Sequence, residues 1–187
     1  MKFCVFIATS ADGYIATPDG GVEWLETAGR KDIDMGEHAD MGFSSFMSSI
    51  DVMVMGRKTM EKLSSFDLPE EQWPYGTVPI YVLSKTVSEP PANLKGRVKM
   101  YSGGIHGLVT HLESLGHKVA YVDGGSTISS FLKERLISEM IITKAPVVLG
   151  SGIPLFDGIE SPIRLQDGKA TAFLNDFIQV KYRLDYL

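Results

Sequence analysis

The segment IDVMVMGRKTMEKL (50–63) sets the strongest constraint on the fold. An apolar run with strand composition stops at Gly56, and a helical pattern begins at once with Arg57, Lys58 and Thr59. A β-to-α handover this short fits a strand feeding a helix that packs back on its own sheet, so the chain must build a layered α/β structure. The handover also carries chemistry. Glycine lets a backbone approach a ligand, and the first turn of a helix presents unpaired N–H groups to an anion. The same residues could equally serve as a plain helix start with a solvated basic edge.

The handover recurs. KFCVFIAT, DVMVM, PIYVLSK, RVKMYS, KVAYVDG and EMIITKAPVVLG are rich in Val, Ile, Tyr and Phe, and helical patterns are expected near 39–49, 57–64, 105–115 and 126–136. The last stretch, ATAFLNDFIQVKYRLDYL, has two alternating runs around Asn175-Asp176 and predicts a closing antiparallel hairpin. The fold class is therefore α/β, a sheet with helices on its faces, in one domain spanning 1–187. Segments 68–79 and 87–97 are linker-like but too short to divide it.

Charge and composition narrow the partners. A formal net charge of −5 gives no field for a polyanion, so nucleic acid is not expected and any phosphate must be gripped locally. No apolar stretch approaches the roughly 18 residues of a membrane span, so no membrane association is expected. The N-terminus lacks a signal-peptide pattern, and a single cysteine, Cys4, lies inside the first strand, where it reads as a small buried hydrophobe. A reducing, cytoplasmic location is the expectation. The four histidines do not pair at ligand spacing with carboxylates, and no metal site is expected.

Three further loops resemble the first. VLSKT (82–86) ends a strand with Ser84, Lys85 and Thr86; VDGGSTISSFL (122–132) places Gly124, Gly125, Ser126 and Thr127 before a helix; LGSGIPLF (149–156) carries Gly150 and Gly152. Ligands of open α/β sheets settle beyond the carboxyl ends of the strands, where such loops meet. Singly each is an ordinary turn or N-cap. Jointly, a glycine-rich helix start and two clusters of cation plus hydroxyl suit a dinucleotide with an extra phosphate on its adenosine ribose, the demand of NADP rather than NAD. The G-x-G-x-x-G fingerprint does not follow the first strand, so the fold would not be an ordinary Rossmann domain.

In order along nearly the whole chain, ATSADGYIA, IDVMVMGRKTME, VLSKT, VDGGSTISSFL and PVVLGSGIPLF resemble the dihydrofolate reductase-like superfamily, nearest to the branch of the C-terminal reductase domain of bifunctional riboflavin-biosynthesis enzymes (RibD). The resemblance implies a three-layer fold with a central mostly parallel mixed sheet flanked by helices, and an NADPH-dependent reductase of a small heterocycle, of dihydrofolate reductase or 5-amino-6-(5-phosphoribosylamino)uracil reductase type. It places Gly56, Arg57, Lys58 and Thr59 against the cofactor phosphates and Leu83, Ser84, Lys85 and Thr86 on the adenosine ribose phosphate. It sets Gly124, Gly125, Ser126 and Thr127 under the pyrophosphate, often with a cis Gly-Gly bond, and Ala8 and Ile15 beside the nicotinamide. It also implies a homodimer.

Folate reductases carry their acid sixteen residues before the glycine of the Gly-Arg-x-Thr loop, which here lands on Asp40. A half-buried Asp40 on the face of Phe43, Phe46, Met47 and Ile50 would have a raised pKa, whereas a plain N-cap is the alternative. Asp12, beside Gly13, reads as a turn residue. Trp24 and Phe43 are expected to wall a flat substrate pocket. Two departures weigh on the substrate: the folate-clamping arginine is replaced by Val78, and only Arg30 and Lys31 offer a site for a ribose phosphate within 22–45. A module that binds NADP(H) without turnover is therefore the second hypothesis.

Overall fold

The computed structural model describes all residues 1–187. Eight strands form one sheet, in the order β5 (Val98–Tyr101), β4 (Ile80–Leu83), β3 (Val52–Gly56), β6 (Val119–Asp123), β1 (Lys2–Thr9), β7 (Ile137–Lys144), β10 (Ile178–Tyr186) and β9 (Ile163–Ala172). The first six run parallel. The final pair is antiparallel, as the C-terminal alternation predicts. Its turn is made by Asn175-Asp176, where Asp176 takes φ 70°, a left-handed conformation that Asp tolerates better than most residues. A two-stranded ribbon of β2 (Tyr14–Ala16) and β8 (Ile153–Pro154), not foreseen in the sequence, crosses beside the sheet.

The alternation inside β3 explains the layering. Val52 and Val54 point into a core shared with α4 (Ile105–Ser114) and α5 (Gly125–Lys133), including Leu108, Leu112, Ile128 and Phe131. Met53 and Met55 point the other way, onto α2 (Phe43–Met47) and α3 (Arg57–Ser65), where Phe46, Met47, Met60 and Leu63 wait. All four β3 side chains are fully buried, each contributing on the order of 1.5–3 kcal/mol by apolar burial. A strand covered on both faces must be apolar throughout, which is why DVMVM shows no polar alternation.

A smaller cluster of Trp24, Ala28, Ala145 and Phe177 anchors α1 (Trp24–Thr27) against the hairpin end of the sheet. No helix is long and apolar enough to cross a membrane.

The sheet order positions the site. From β3 the chain winds outward through β4 to β5, then returns across the sheet to place β6 between β3 and β1. The carboxyl ends of β3, β6 and β1 thus flank a point where the winding reverses, and there the loops splay apart to leave a crevice.

Candidate functional site

A cleft of about 950 Å³ occupies that crevice. Three helices start at it: α3 after Gly56, α4 after Gly104 and α5 after Gly124. Each N-cap is a glycine, and none has a side-chain capping hydrogen bond. The amide groups of these first turns are therefore left for solvent or for an anion, and three positive helix ends face one space.

Close packing makes the glycines necessary. A Cβ on Gly56 would meet Thr127 Oγ1 at 2.6 Å, one on Gly125 would meet Ile15 Cδ1 at 2.5 Å, and one on Gly124 would strike Thr59 Oγ1. Gly124 also takes φ 89°. The starts of α3 and α5 and the β2 ribbon therefore close on one another, and only hydrogen fits between them. All peptide bonds are trans, which corrects the expectation of a cis Gly124-Gly125 bond: the sharp change of direction is made by the positive φ of Gly124.

Of the residues expected to hold a cofactor, Ala8, Ile15, Gly56, Arg57, Lys58, Thr59, Leu83, Lys85, Gly124, Gly125, Ser126 and Thr127 all line the cleft. Ser84 and Thr86 do not. The Ser84 hydroxyl oxygen instead accepts from the backbone N–H groups of Thr86 and Val87, at 3.3 and 2.9 Å, so it builds the turn that aims Lys85. Arg57 needs a qualification: its guanidinium donates to Glu61 at 2.6 Å, one helical turn along, so its charge already has a partner within α3. Lys58 and Lys85 have no carboxylate within ion-pair distance.

The expected acid is not in the cleft. Asp40 is exposed; its carboxylate accepts from the backbone N–H groups of Gly42 and Ser44 at 2.9 and 2.8 Å, capping the entry to α2. Hydrogen bonds from Ser44, then Gly42, hold its pKa below the ordinary carboxylate value, opposite to the rise expected of a half-buried acid. Five-residue α2 starts too late to carry Asp40 on its apolar face. Asp12 is likewise structural, accepting from Ser10 at 2.6 Å and from the N–H groups of Leu149 and Gly150, with Ser10 foremost in holding its pKa down.

A different carboxyl lines the cleft. Asp123 ends the apolar strand β6, and burial pushes its pKa up to about 6, against the opposing hydrogen bond from the Gly124 N–H. Tyr121 donates its proton to the Phe6 carbonyl at 2.9 Å, which leaves its oxygen as an acceptor beside Asp123. Tyr75 reaches the same wall, and burial, with the Asp123 charge second, drives its pKa well up, so it stays a neutral hydroxyl.

The substrate wall differs from expectation too. Trp24 is buried against Ala28, Ala145 and Phe177, and it is its neighbour Leu25 that lines the cleft. Phe43 packs behind Tyr75 and Tyr121, ring centroids 6.4 Å from each, and supports the wall without facing the space. The facing residues come from α3, where Thr59, Lys62, Leu63 and Phe66 form an i, i+3, i+4, i+7 stripe. That spacing was visible in the sequence, as were Gly103-Gly104 before α4 and the lone carboxylate of VAYVD. Only the fold reveals that they share a cleft.

Residues 2–179 match the RibD C-terminal domain family. The chain is 30% identical over 182 residues to the uncharacterized protein YwjB of Bacillus subtilis strain 168, covering 97% of both chains. A crystal structure from Shewanella sp. PV-4, whose name assigns it provisionally to riboflavin biosynthesis, is 38% identical over the full length of both chains, with a TM-score of 0.86. Dihydrofolate reductase from Enterococcus faecalis, solved with NADP(H) and RAB-propyl, is 11% identical with a TM-score of 0.65, covering 99% of this chain and 97% of that one. The last likeness is one of fold, and the fold is dihydrofolate reductase-like. This chain belongs to the RibD C-terminal domain family.

Proposed function

We propose that this member of the RibD C-terminal domain family is an NADPH-dependent reductase of a small heterocyclic substrate, with Asp123 as its proton donor. The observation that carries the reading is the convergence, in one cleft, of three glycine-capped helix starts, the free cation Lys85 and a buried carboxyl of raised pKa. A coenzyme with three phosphates matches three anion-binding helix ends. The starts of α3 and α5, which touch through Thr59 and Gly124, suit the pyrophosphate; Lys85 with the start of α4 suits the ribose phosphate.

When bound, NADPH would supply a hydride to a C=N or C=O carbon. The charge left on the nitrogen or oxygen must be met by a proton. Asp123 holds one at an atom facing the cleft, and its pKa of about 6 keeps a useful fraction protonated near neutrality. The balance is one hydride and one proton added across the double bond, oxidised coenzyme released, and Asp123 reprotonated from solvent. Leu63 and Leu25 line the same space and limit water there, while Tyr75 offers a neutral donor to a ring carbonyl. Within the family this would be a reaction of the riboflavin-pathway or dihydrofolate reductase type.

The test is a titration of NADPH fluorescence with protein, followed by a single turnover with candidate rings. The reading expects saturable binding in the micromolar range, tighter than NADH, and Asp123-dependent oxidation. An unchanged nicotinamide signal at tens of micromolar protein would contradict it. The second reading, an NADP(H)-binding module without turnover, draws on Val78 at the clamp position and on Asp40 lying outside the cleft. It would be favoured by tight coenzyme binding with no oxidation by any ring.

A further inference from the structure

Resting on that reading, the charge distribution along the cleft identifies the class of its second ligand. The stripe on α3 is a ruler. Thr59 lies against Gly124 at the phosphate end, and Phe66 is seven residues on, roughly 10 Å further along the axis at 1.5 Å per residue. Lys62, Leu63 and Phe66 therefore border the end remote from the phosphates.

The two ends differ in charge. Arg57, Lys58 and Lys85 all serve the first, with only Glu61 opposing them. The remote end has a single lining cation, Lys62, and it is paired with Glu23 at 3.2 Å. Its ammonium also lies 5.4 Å from the centre of the Phe66 ring, a cation–π distance. With Glu23 counted, the remote mouth is neutral. Arg30, which the sequence offered for a substrate phosphate, is paired with Asp32 at 3.2 Å, and neither it nor Lys31 lines the cleft.

What remains at the remote end is a flat apolar slot. Phe66 keeps 49% of its surface exposed although it borders a cavity, and Leu63 and Leu25 complete the sides. Two polar side chains also line the cleft, the Tyr75 hydroxyl and the Asp123 carboxyl, the latter held by the Gly124 N–H between the phosphate end and the slot. Loop 68–75 is held for this purpose by Arg97, which donates to the Leu68 carbonyl at 3.0 Å and stacks 4.6 Å from the Trp73 ring centre. Trp73 in turn meets Tyr75 edge-on at 5.2 Å.

We infer that the substrate is an uncharged flat ring with a conjugated C=N or C=O, stacked on Phe66, and that it carries neither a phosphate nor a carboxylate tail. A dianion placed there would meet Glu23 as well as Lys62. This separates the substrate from the phosphoribosyl pyrimidine and from folate, the two implied by family resemblance.

The experiment is calorimetric titration of the full chain, with and without saturating NADPH. The probes are uncharged rings (6-hydroxymethylpterin, lumazine, menadione), the phosphate monoester of 6-hydroxymethylpterin, and folate. At least one uncharged ring is expected to bind, and 6-hydroxymethylpterin is expected to bind at least ten-fold tighter than its ester or folate if it is that ring. Glu23→Gln should improve the phosphorylated probe at least three-fold by freeing Lys62, and Phe66→Ala should weaken the uncharged ring about ten-fold. Tighter binding of the ester or of folate, or no binding of any uncharged ring, would overturn the inference. Should the ring preference persist while NADPH fails to bind, the substrate class stands and the coenzyme reading falls.

Discussion

The two ends of the cleft are built by different means. At the phosphate end the ligand-facing groups are backbone: glycine N-caps, first-turn amides and a Lys85 aimed by a Ser84 turn. Away from it they are side chains: Leu63 on α3, Phe66 at its C-terminal end, Tyr75 on a loop and Asp123 on a strand. Backbone sites tolerate changes of neighbouring side chains but not the addition of a Cβ. Side-chain sites behave in the opposite way, and each change there should alter chemistry more than coenzyme binding.

The largest expected effect falls on the side-chain groups. Asp123→Asn should lower the single-turnover rate by about 10²–10⁴-fold, the usual range for losing a positioned acid, with the NADPH Kd within about two-fold. The wild-type rate should fall as pH rises through about 6, since only the protonated acid works, and the variant should lose that dependence. Wild-type stability should fall over the same range. A carboxyl whose folded pKa is raised stabilises the protein fully below its unfolded value near 4, and that contribution is lost as pH rises through about 6. The loss amounts to about 3 kcal/mol for two pH units, so at pH 8 Asp123→Asn should unfold at higher urea than wild type. A variant both inactive and less stable at pH 8 would remove Asp123 from this role.

Next in size is the phosphate end. Gly124→Ala must strain a positive φ and press on Thr59, and should weaken NADPH by about 100-fold while lowering stability by about 1–3 kcal/mol, read by coenzyme titration and urea melts. A smaller and more selective change is Lys85→Ala. It should weaken NADPH by about 10–100-fold and NADH by less than two-fold, because a charge-assisted contact to the extra phosphate is worth about 1.5–3 kcal/mol. Arg57→Ala sharpens this contrast: with its guanidinium on Glu61, it should affect both coenzymes alike. The smallest effect is Asp40→Ala, which should remove about 1 kcal/mol of stability as a lost cap and leave turnover within two-fold.

The same contrast explains what could be read from the sequence. Gly56, Gly124 and Gly125 were legible because a glycine between an apolar run and a helical pattern is a local signal, and the α/β layering followed from the repetition of strand and helix patterns. The hairpin was legible from two alternating runs around Asn175-Asp176, but the reach of β9 back to Ile163 was not, since its outward face is exposed and polar. Asp40 was misplaced because counting back from Gly56 cannot tell a cap from a buried acid; the length of α2 decides that. Trp24 and Phe43 were apolar residues near the right place, and which of two neighbours turns inward depended on cores formed with Phe177 and Tyr121. Asp123, Tyr75 and Phe66 come from segments far apart in the chain, so nothing short of the folded chain joins them.

The central claim is that strand tips and helix starts from across the chain grip one coenzyme tail bearing three phosphates. It is tested most directly by the ratio of NADH to NADPH dissociation constants, measured by calorimetry on the wild-type chain. One coenzyme per chain, with NADPH at least ten-fold tighter, is the predicted result. Equal affinities, or no heat for either coenzyme at tens of micromolar, would contradict the account.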